Sequence, residues 1–136
     1  VLELKAHQTK EKEAEAVAKI VEMVEKYGLT DRTEYISFSL FACKEFKRVA
    51  PQGTDIYYLN GELSPAELKT LGFAGFDYNM GPIKKHPEWI EEAHKLGLKV
   101  NVWTIDKEAD MQWLIDQKVD FITTNEPVLL QQLLRK

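Results

Sequence analysis

Apolar residues in this chain recur in two alternating rhythms. Short apolar or period-two stretches have the pattern of β-strands: Leu2 to Lys5, Tyr35 to Phe38, Ile56 to Leu59, Phe76 to Tyr78, Lys99 to Ile105 and Phe121 to Thr123. Between them lie longer stretches whose apolar residues return every three or four positions, the pattern of helices with one buried stripe. Strictly alternating strands and helices favour a parallel sheet, because parallel neighbours need a crossover that antiparallel hairpins do not. About six βα units follow from the pattern.

The helix signals are specific. The stretch from about Lys10 to Tyr27 carries Val17, Ile20, Val21 and Val24 on one face, Glu11 and Glu13 in the first turn where the dipole favours them, and Gly28 as a left-handed stop. A second helix runs through Phe46 and Val49 and ends before Pro51 and Gly53. Ser64-Pro65-Ala66-Glu67 is a capping box with proline at the first helical position. The next helix starts near Pro87, turns Trp89, Ile90, Ala93 and Leu96 inward, and stops at Gly97. Asp106 is the expected N-cap of a helix carrying Met111, Leu114 and Ile115, and Pro127 starts the last one, packed through Leu130, Leu133 and Leu134. Gly-rich flanks leave Phe76 to Tyr78 the least clearly marked strand.

With 136 residues the chain suffices for one core but falls short of the roughly 200 to 250 that a complete (β/α)8 barrel needs. No linker, low-complexity tract or repeat longer than the βα unit interrupts it. Residues 1–136 therefore read as a single domain of about six parallel βα units, and as only part of a whole one. An open arc of that kind exposes two strand edges and half an apolar lumen, so association with a second copy or with the remaining units is expected.

Composition narrows the function. Apolar residues at 44% and charged ones at 29% are ordinary for a globular domain, and the net charge of −4 disfavours a nucleic-acid binder, since phosphate backbones are held by clustered cations. No apolar run approaches the roughly 18 residues of a membrane span, and no signal-peptide pattern opens the sequence, so any such signal would lie upstream and no compartment is assigned. A lone cysteine, Cys43, rules out an internal disulfide and reads as a small buried apolar residue. No Cys-x-x-Cys, glycine-rich phosphate loop, Gly-x-Ser-x-Gly or His-Glu-x-x-His pattern is present, so zinc, nucleotide and serine-hydrolase readings have no support.

Two places hold candidate chemistry. In the opening strand Glu3 and Lys5 share one face while Leu2 and Leu4 share the other, so two opposite charges point together where a barrel would have its lumen. In a parallel barrel, inward residues near the carboxyl ends of strands form the mouth of the site. The same pair reads equally as a solvated ion pair at a strand end. Trp103, in phase with Asn101, reads as core or as a pocket wall.

In order along the chain, Leu2-Glu3-Leu4-Lys5, Ser37-Phe38, Val100-Asn101-Val102-Trp103-Thr104 and Val119-Asp120-Phe121-Ile122-Thr123-Thr124-Asn125-Glu126-Pro127 resemble the C-terminal part of the glycerophosphodiester phosphodiesterase family. Its barrel strands read roughly L-x-I-E-I-K, S-F-D, V-x-V-W-T-V-N and G-V-D-G-I-I-T-D-x-P. The resemblance implies an α/β fold, an incomplete TIM-type (β/α)8 barrel with residues 1–136 as a single partial domain of about six of eight units, and a metal-dependent hydrolase that cleaves a glycerophosphodiester into glycerol 3-phosphate and an alcohol. It places Glu3 as a carboxylate ligand of a divalent cation, Ca²⁺ or Mg²⁺, and Lys5 on the substrate phosphate. Trp103 and Phe38 become apolar walls of the glycerol pocket. A hard cation takes oxygen ligands and a lysine adds a point charge, so both charged assignments fit the chemistry.

The family's His-Arg-Gly, Glu-x-Asp and His-Asp motifs do not occur in these residues, and the acid and base histidines belong to them. None of His7, His86 or His94 maps onto those two, so no catalytic residue is assigned within this chain, and by itself it is expected to be inactive. His7 reads as a loop or cap residue, His86 as a turn residue and His94 as surface. Five further departures stand out: Ser39 and Asp106 where the pattern has Asp and Asn, Lys118 and Phe121 in place of two glycines, and Asn125 in place of Asp. A non-catalytic half-barrel for binding or assembly is the alternative reading.

Overall fold

The computed structural model describes all of Val1–Lys136. Six strands, β1 (Leu2–Leu4), β2 (Tyr35–Ser37), β3 (Ile56–Tyr58), β4 (Gly75–Asn79), β5 (Lys99–Trp103) and β6 (Phe121–Ile122), form one sheet in sequence order, every neighbouring pair parallel. Seven helices connect or flank them: α1 (Lys10–Lys26), α2 (Leu40–Val49), α3 (Pro65–Thr70), α4 (Met80–Lys85), α5 (Glu88–Lys95), α6 (Glu108–Asp116) and α7 (Pro127–Leu134). A short 3₁₀ turn, Thr30–Arg32, precedes β2. This is the expected α/β architecture, a parallel arc of a TIM-type barrel lacking closure. None of the helices is long and apolar enough to cross a membrane.

Strand parity decides what lies on each side. Leu4, Tyr35, Ile56, Tyr58, Phe76, Tyr78, Val100 and Val102 face the helices and join a core of 25 buried residues. Val17, Val21 and Val24 of α1 enter that core, and each buried aliphatic side chain contributes roughly 1.5–3 kcal/mol by leaving water. Tyr35 stacks on Phe46 of α2, with centroids 4.2 Å apart and planes 13° from parallel. The opposite parity faces the lumen: Glu3, Ile36, Tyr57, Asp77, Asn101 and Phe121.

Cys43 is fully buried between α2 and the sheet. Its Sγ–H reaches the carbonyls of Ser37 and Tyr57 at 3.7 and 3.9 Å. Burial is the main cause that pushes the thiol up to about 12.

Most helix ends carry the caps their sequences predict. Ser64 accepts from the Glu67 amide while the Glu67 carboxylate accepts from the Ser64 amide, a complete capping box. Gly28 and Gly97 take left-handed φ of 69° and 77° and close α1 and α5. Three points differ. Helix α4 carries no clear stripe in the sequence; Asn79 opens it by accepting from the Gly81 amide. The least clearly marked strand is one of the two longest: Gly75 is required there because a Cβ would come within 1.9 Å of the Lys99 carbonyl oxygen, so this glycine seats β4 against β5. Asp106 does not cap α6, whose N-cap is Lys107 with no side-chain bond. Its carboxylate turns instead to the segment after β6, where it accepts from Thr124 and Asn125.

Candidate functional site

The carboxyl ends of the strands open into a cleft of about 520 Å³ lined by Glu3, Lys5, Phe38, Asp77, Asn101 and Trp103, with Ile36, Leu59 and Thr123 among its other walls. All four residues singled out from the sequence therefore border one space. Glu3 and Lys5 come from the end of β1, where the period-two alternation sends both to the lumen while Leu4 enters the core. Lys5 Nζ lies 3.2 Å from Glu3 Oε2; the Lys5 side chain is 82% exposed and that of Glu3 30%, so the ammonium is ion-paired yet open to solvent.

Trp103 ends β5 and Phe38 follows β2. Their rings meet edge to face, 5.8 Å between centroids at 86°, forming an apolar corner of the cleft. The indole Nε1–H donates to the Asp77 carbonyl at 2.8 Å, which fixes the ring across β4. The Trp103–Thr104 peptide is cis.

The sequence reading missed Asp77. It occupies β4, is only 6% exposed, and its Oδ1 has no hydrogen-bond partner. Burial first, and the negative charge of Glu3 second, push its carboxyl up to about 7. The signal was available in the sequence, since Phe76-Asp77-Tyr78 puts a charge between two large apolar residues, but it lies in the strand that its Gly-rich flanks mark least clearly. Below the main cleft a second hollow of about 230 Å³ is bordered by Ile36, Tyr57, Asp77, Asn101 and Phe121. The Tyr57 hydroxyl is likewise buried without a partner there.

The donor set facing the lumen is oxygen: the carboxylates of Glu3 and Asp77 and the amide of Asn101, whose Oδ1 accepts from Thr123 at 3.2 Å. Such ligands suit a hard cation rather than copper(I). Nowhere in the chain do three or more His, Cys, Asp or Glu side chains gather as a potential metal cluster, so these residues can contribute only part of a coordination shell.

The histidines stand outside the cleft. His7 acts in its loop, its amide donating to Glu13 at 3.1 Å and its ring contacting the Lys5 carbonyl at 2.8 Å. His86 terminates α4 and stacks on Trp89 at 4.2 Å, and His94 pairs with Asp120 at 3.0 Å. Ser39 caps α2 through the Ala42 amide and donates to Glu13 at 2.8 Å, a structural task.

A parallel arc that gathers a carboxylate, an ammonium and an aromatic corner at the carboxyl ends of its strands defines a portion of a (β/α)8 barrel, at the end where such barrels carry their sites. Residues 2–129 match the glycerophosphoryl diester phosphodiesterase family, and the chain belongs to that family. It is 29% identical over 121 residues to a glycerophosphodiester phosphodiesterase of Caldanaerobacter subterraneus subsp. tengcongensis, covering 87% of this chain and 49% of the relative. The crystal structure of a glycerophosphodiester phosphodiesterase from Parabacteroides distasonis superposes with a TM-score of 0.94 at 47% identity, over 98% of this chain and 56% of its own. An Oleispira antarctica phosphodiesterase, solved in complex with the product sn-glycerol-3-phosphate, shares the fold at 21% identity and a TM-score of 0.76, over 99% of this chain and 55% of its own. The chain spans about half the length of the relatives it matches.

Proposed function

We propose that this chain is the C-terminal portion of a metal-dependent glycerophosphodiester phosphodiesterase, a single partial-barrel domain that works with the two remaining βα units to hydrolyse a glycerophosphodiester into glycerol 3-phosphate and an alcohol. The observation that carries this reading is the convergence of Glu3, Lys5, Phe38 and Trp103, drawn from three different strands, on one cleft in a chain of this family.

Each side chain has a task in that reaction. Lys5, exposed and positively charged, pairs with a non-bridging phosphate oxygen and offsets the charge that grows as the phosphorus–oxygen bond to the alcohol breaks. Phe38 and Trp103 hold the carbon face of the glycerol arm and keep water off it, and the Trp103 bond to the Asp77 carbonyl holds that wall in place. Glu3 would hold a divalent cation, Ca²⁺ or Mg²⁺, together with ligands from the rest of the barrel. When bound, such an ion supplies charge neutralisation at the phosphate. Proton transfer to the leaving alcohol falls to histidines of the remaining units.

Two exposed strand edges, β1 and β6, and the open lumen make the isolated chain a species that self-associates or pairs with the missing units. The test measures choline release from glycerophosphocholine. The complete barrel should turn over, Glu3→Gln should lower kcat/KM by about 10²-fold or more, and the isolated 136-residue chain should be inactive. Turnover by the isolated chain would contradict the division of labour, and an inactive complete barrel would contradict the activity. A monomeric 136-residue species with a fully protected amide core in hydrogen exchange would contradict the pairing.

A further inference from the structure

Only two buried side-chain polar atoms in the molecule lack a hydrogen-bond partner, and both face the lumen: Tyr57 Oη and Asp77 Oδ1. Their positions differ. Tyr57 borders only the lower hollow, whereas Asp77 borders the lower hollow and the main cleft together. A buried carboxyl oxygen without a donor is destabilising, and one that borders a cleft can gain its donor from what binds there.

We propose that Asp77 is a specificity-determining residue of the cleft, accepting a hydrogen bond from a hydroxyl of the polyol arm of the substrate. The inference rests on the phosphodiester reading given above and deepens it. Around Asp77 the cleft wall is largely apolar, made by Ile36, Phe38, Leu59 and the Trp103 ring, so an alkyl arm would satisfy the wall and leave Oδ1 unpaired. A glycerol arm lays its carbon face against the same wall and brings the missing donor. The Trp103 indole is tied to the main chain of the same residue, so the apolar wall and the acceptor are held as one unit. A site that leaves a buried acceptor unpaired against a hydroxyl-free analogue rejects that analogue strongly.

The experiment uses the complete-barrel protein and two monoesters that it cannot turn over, sn-glycerol 3-phosphate and propyl phosphate, which carry the same phosphate and carbon chain with and without hydroxyls. Calorimetry gives the ratio of their Kd values. The ratio should fall by about tenfold or more in Asp77→Leu, with affinity for propyl phosphate kept or improved. Asp77→Asn, which retains an acceptor oxygen, should keep most of the discrimination and serves if the leucine variant does not fold; Asp77→Ala then takes its place for the loss. A ratio unchanged within twofold in the folded Leu or Ala variant, while wild type still hydrolyses glycerophosphocholine, overturns the inference alone and assigns Oδ1 to a partner in the remaining barrel units. Failure of wild type to hydrolyse glycerophosphocholine overturns the reading beneath it as well.

Discussion

Asp106 and Asn125 are tied by two hydrogen bonds across the mouths of β5 and β6: the Asn125 amide donates to Asp106 Oδ1 at 2.8 Å, and its Nδ2 donates to Oδ2 at 3.1 Å. These are the two positions at which the chain departs from the family pattern in opposite senses, acid for amide at one and amide for acid at the other. The departures compensate, since one carboxylate and one amide remain. The bonds hold the Asp106 carboxyl below the usual carboxylate range. Asn125→Asp should therefore lower the melting temperature by setting two carboxylates face to face, and Asp106→Asn added to it should restore most of the loss. A thermal double-mutant cycle measures this, and additive losses would show that the two side chains do not couple.

How much of this was legible in sequence differs by element. Glu3 and Lys5 could be put on one side of the sheet because a strand's two-residue period fixes it without any tertiary knowledge, whereas Phe38 and Trp103 became pocket walls only through the family resemblance. The capping box at Ser64 and the glycine stops were equally local. Asp106 could not be read, because an acid before a helix is a generic N-cap, and its true partners lie 18 and 19 residues further on, in another loop. Asp77 was hidden for the same kind of reason: the Gly75 that looks like a strand breaker is demanded by the close approach of Lys99 on a neighbouring strand.

Lys118 is the one residue other than glycine with positive φ, 61°, and it follows α6 at a position where the family pattern has glycine. A side chain with a Cβ in this left-handed conformation costs roughly 1 kcal/mol. Lys118→Gly should stabilise the chain by about 0.5–1 kcal/mol in urea denaturation. A loss of stability of that size would mean that the lysine's contacts or the greater freedom of glycine in the unfolded chain outweigh the strain.

Cys43 offers a built-in reporter of the α2–sheet contact. Its thiol is pushed up to about 12, chiefly by burial, so at pH 8 the thiolate fraction is lower than that of a free cysteine by on the order of 10³-fold. Alkylation by iodoacetamide should be correspondingly slow in the native chain and should reach the free-thiol rate across the urea transition. Fast labelling without denaturant would show that α2 opens locally.

The buried Asp77 carboxyl should leave a signature in stability against pH. Its folded value of about 7 lies above its ordinary value of 3.8, through burial first and the Glu3 carboxylate of β1 second. Lys5 at the end of β1 also borders that cleft, and Tyr57 of β3 faces the hollow below. For a group raised in this way, the folded state binds the proton more tightly than the unfolded one. Its stabilising contribution is therefore whole below pH about 4, declines as pH rises, and is gone above about 7. Asp77→Asn does not titrate, so it should match wild type near pH 4 and exceed it at pH 8 by on the order of 2–4 kcal/mol. Parallel stability curves for the two proteins from pH 4 to 8 would mean that the carboxyl is ionised throughout, held by a donor or cation within the lumen.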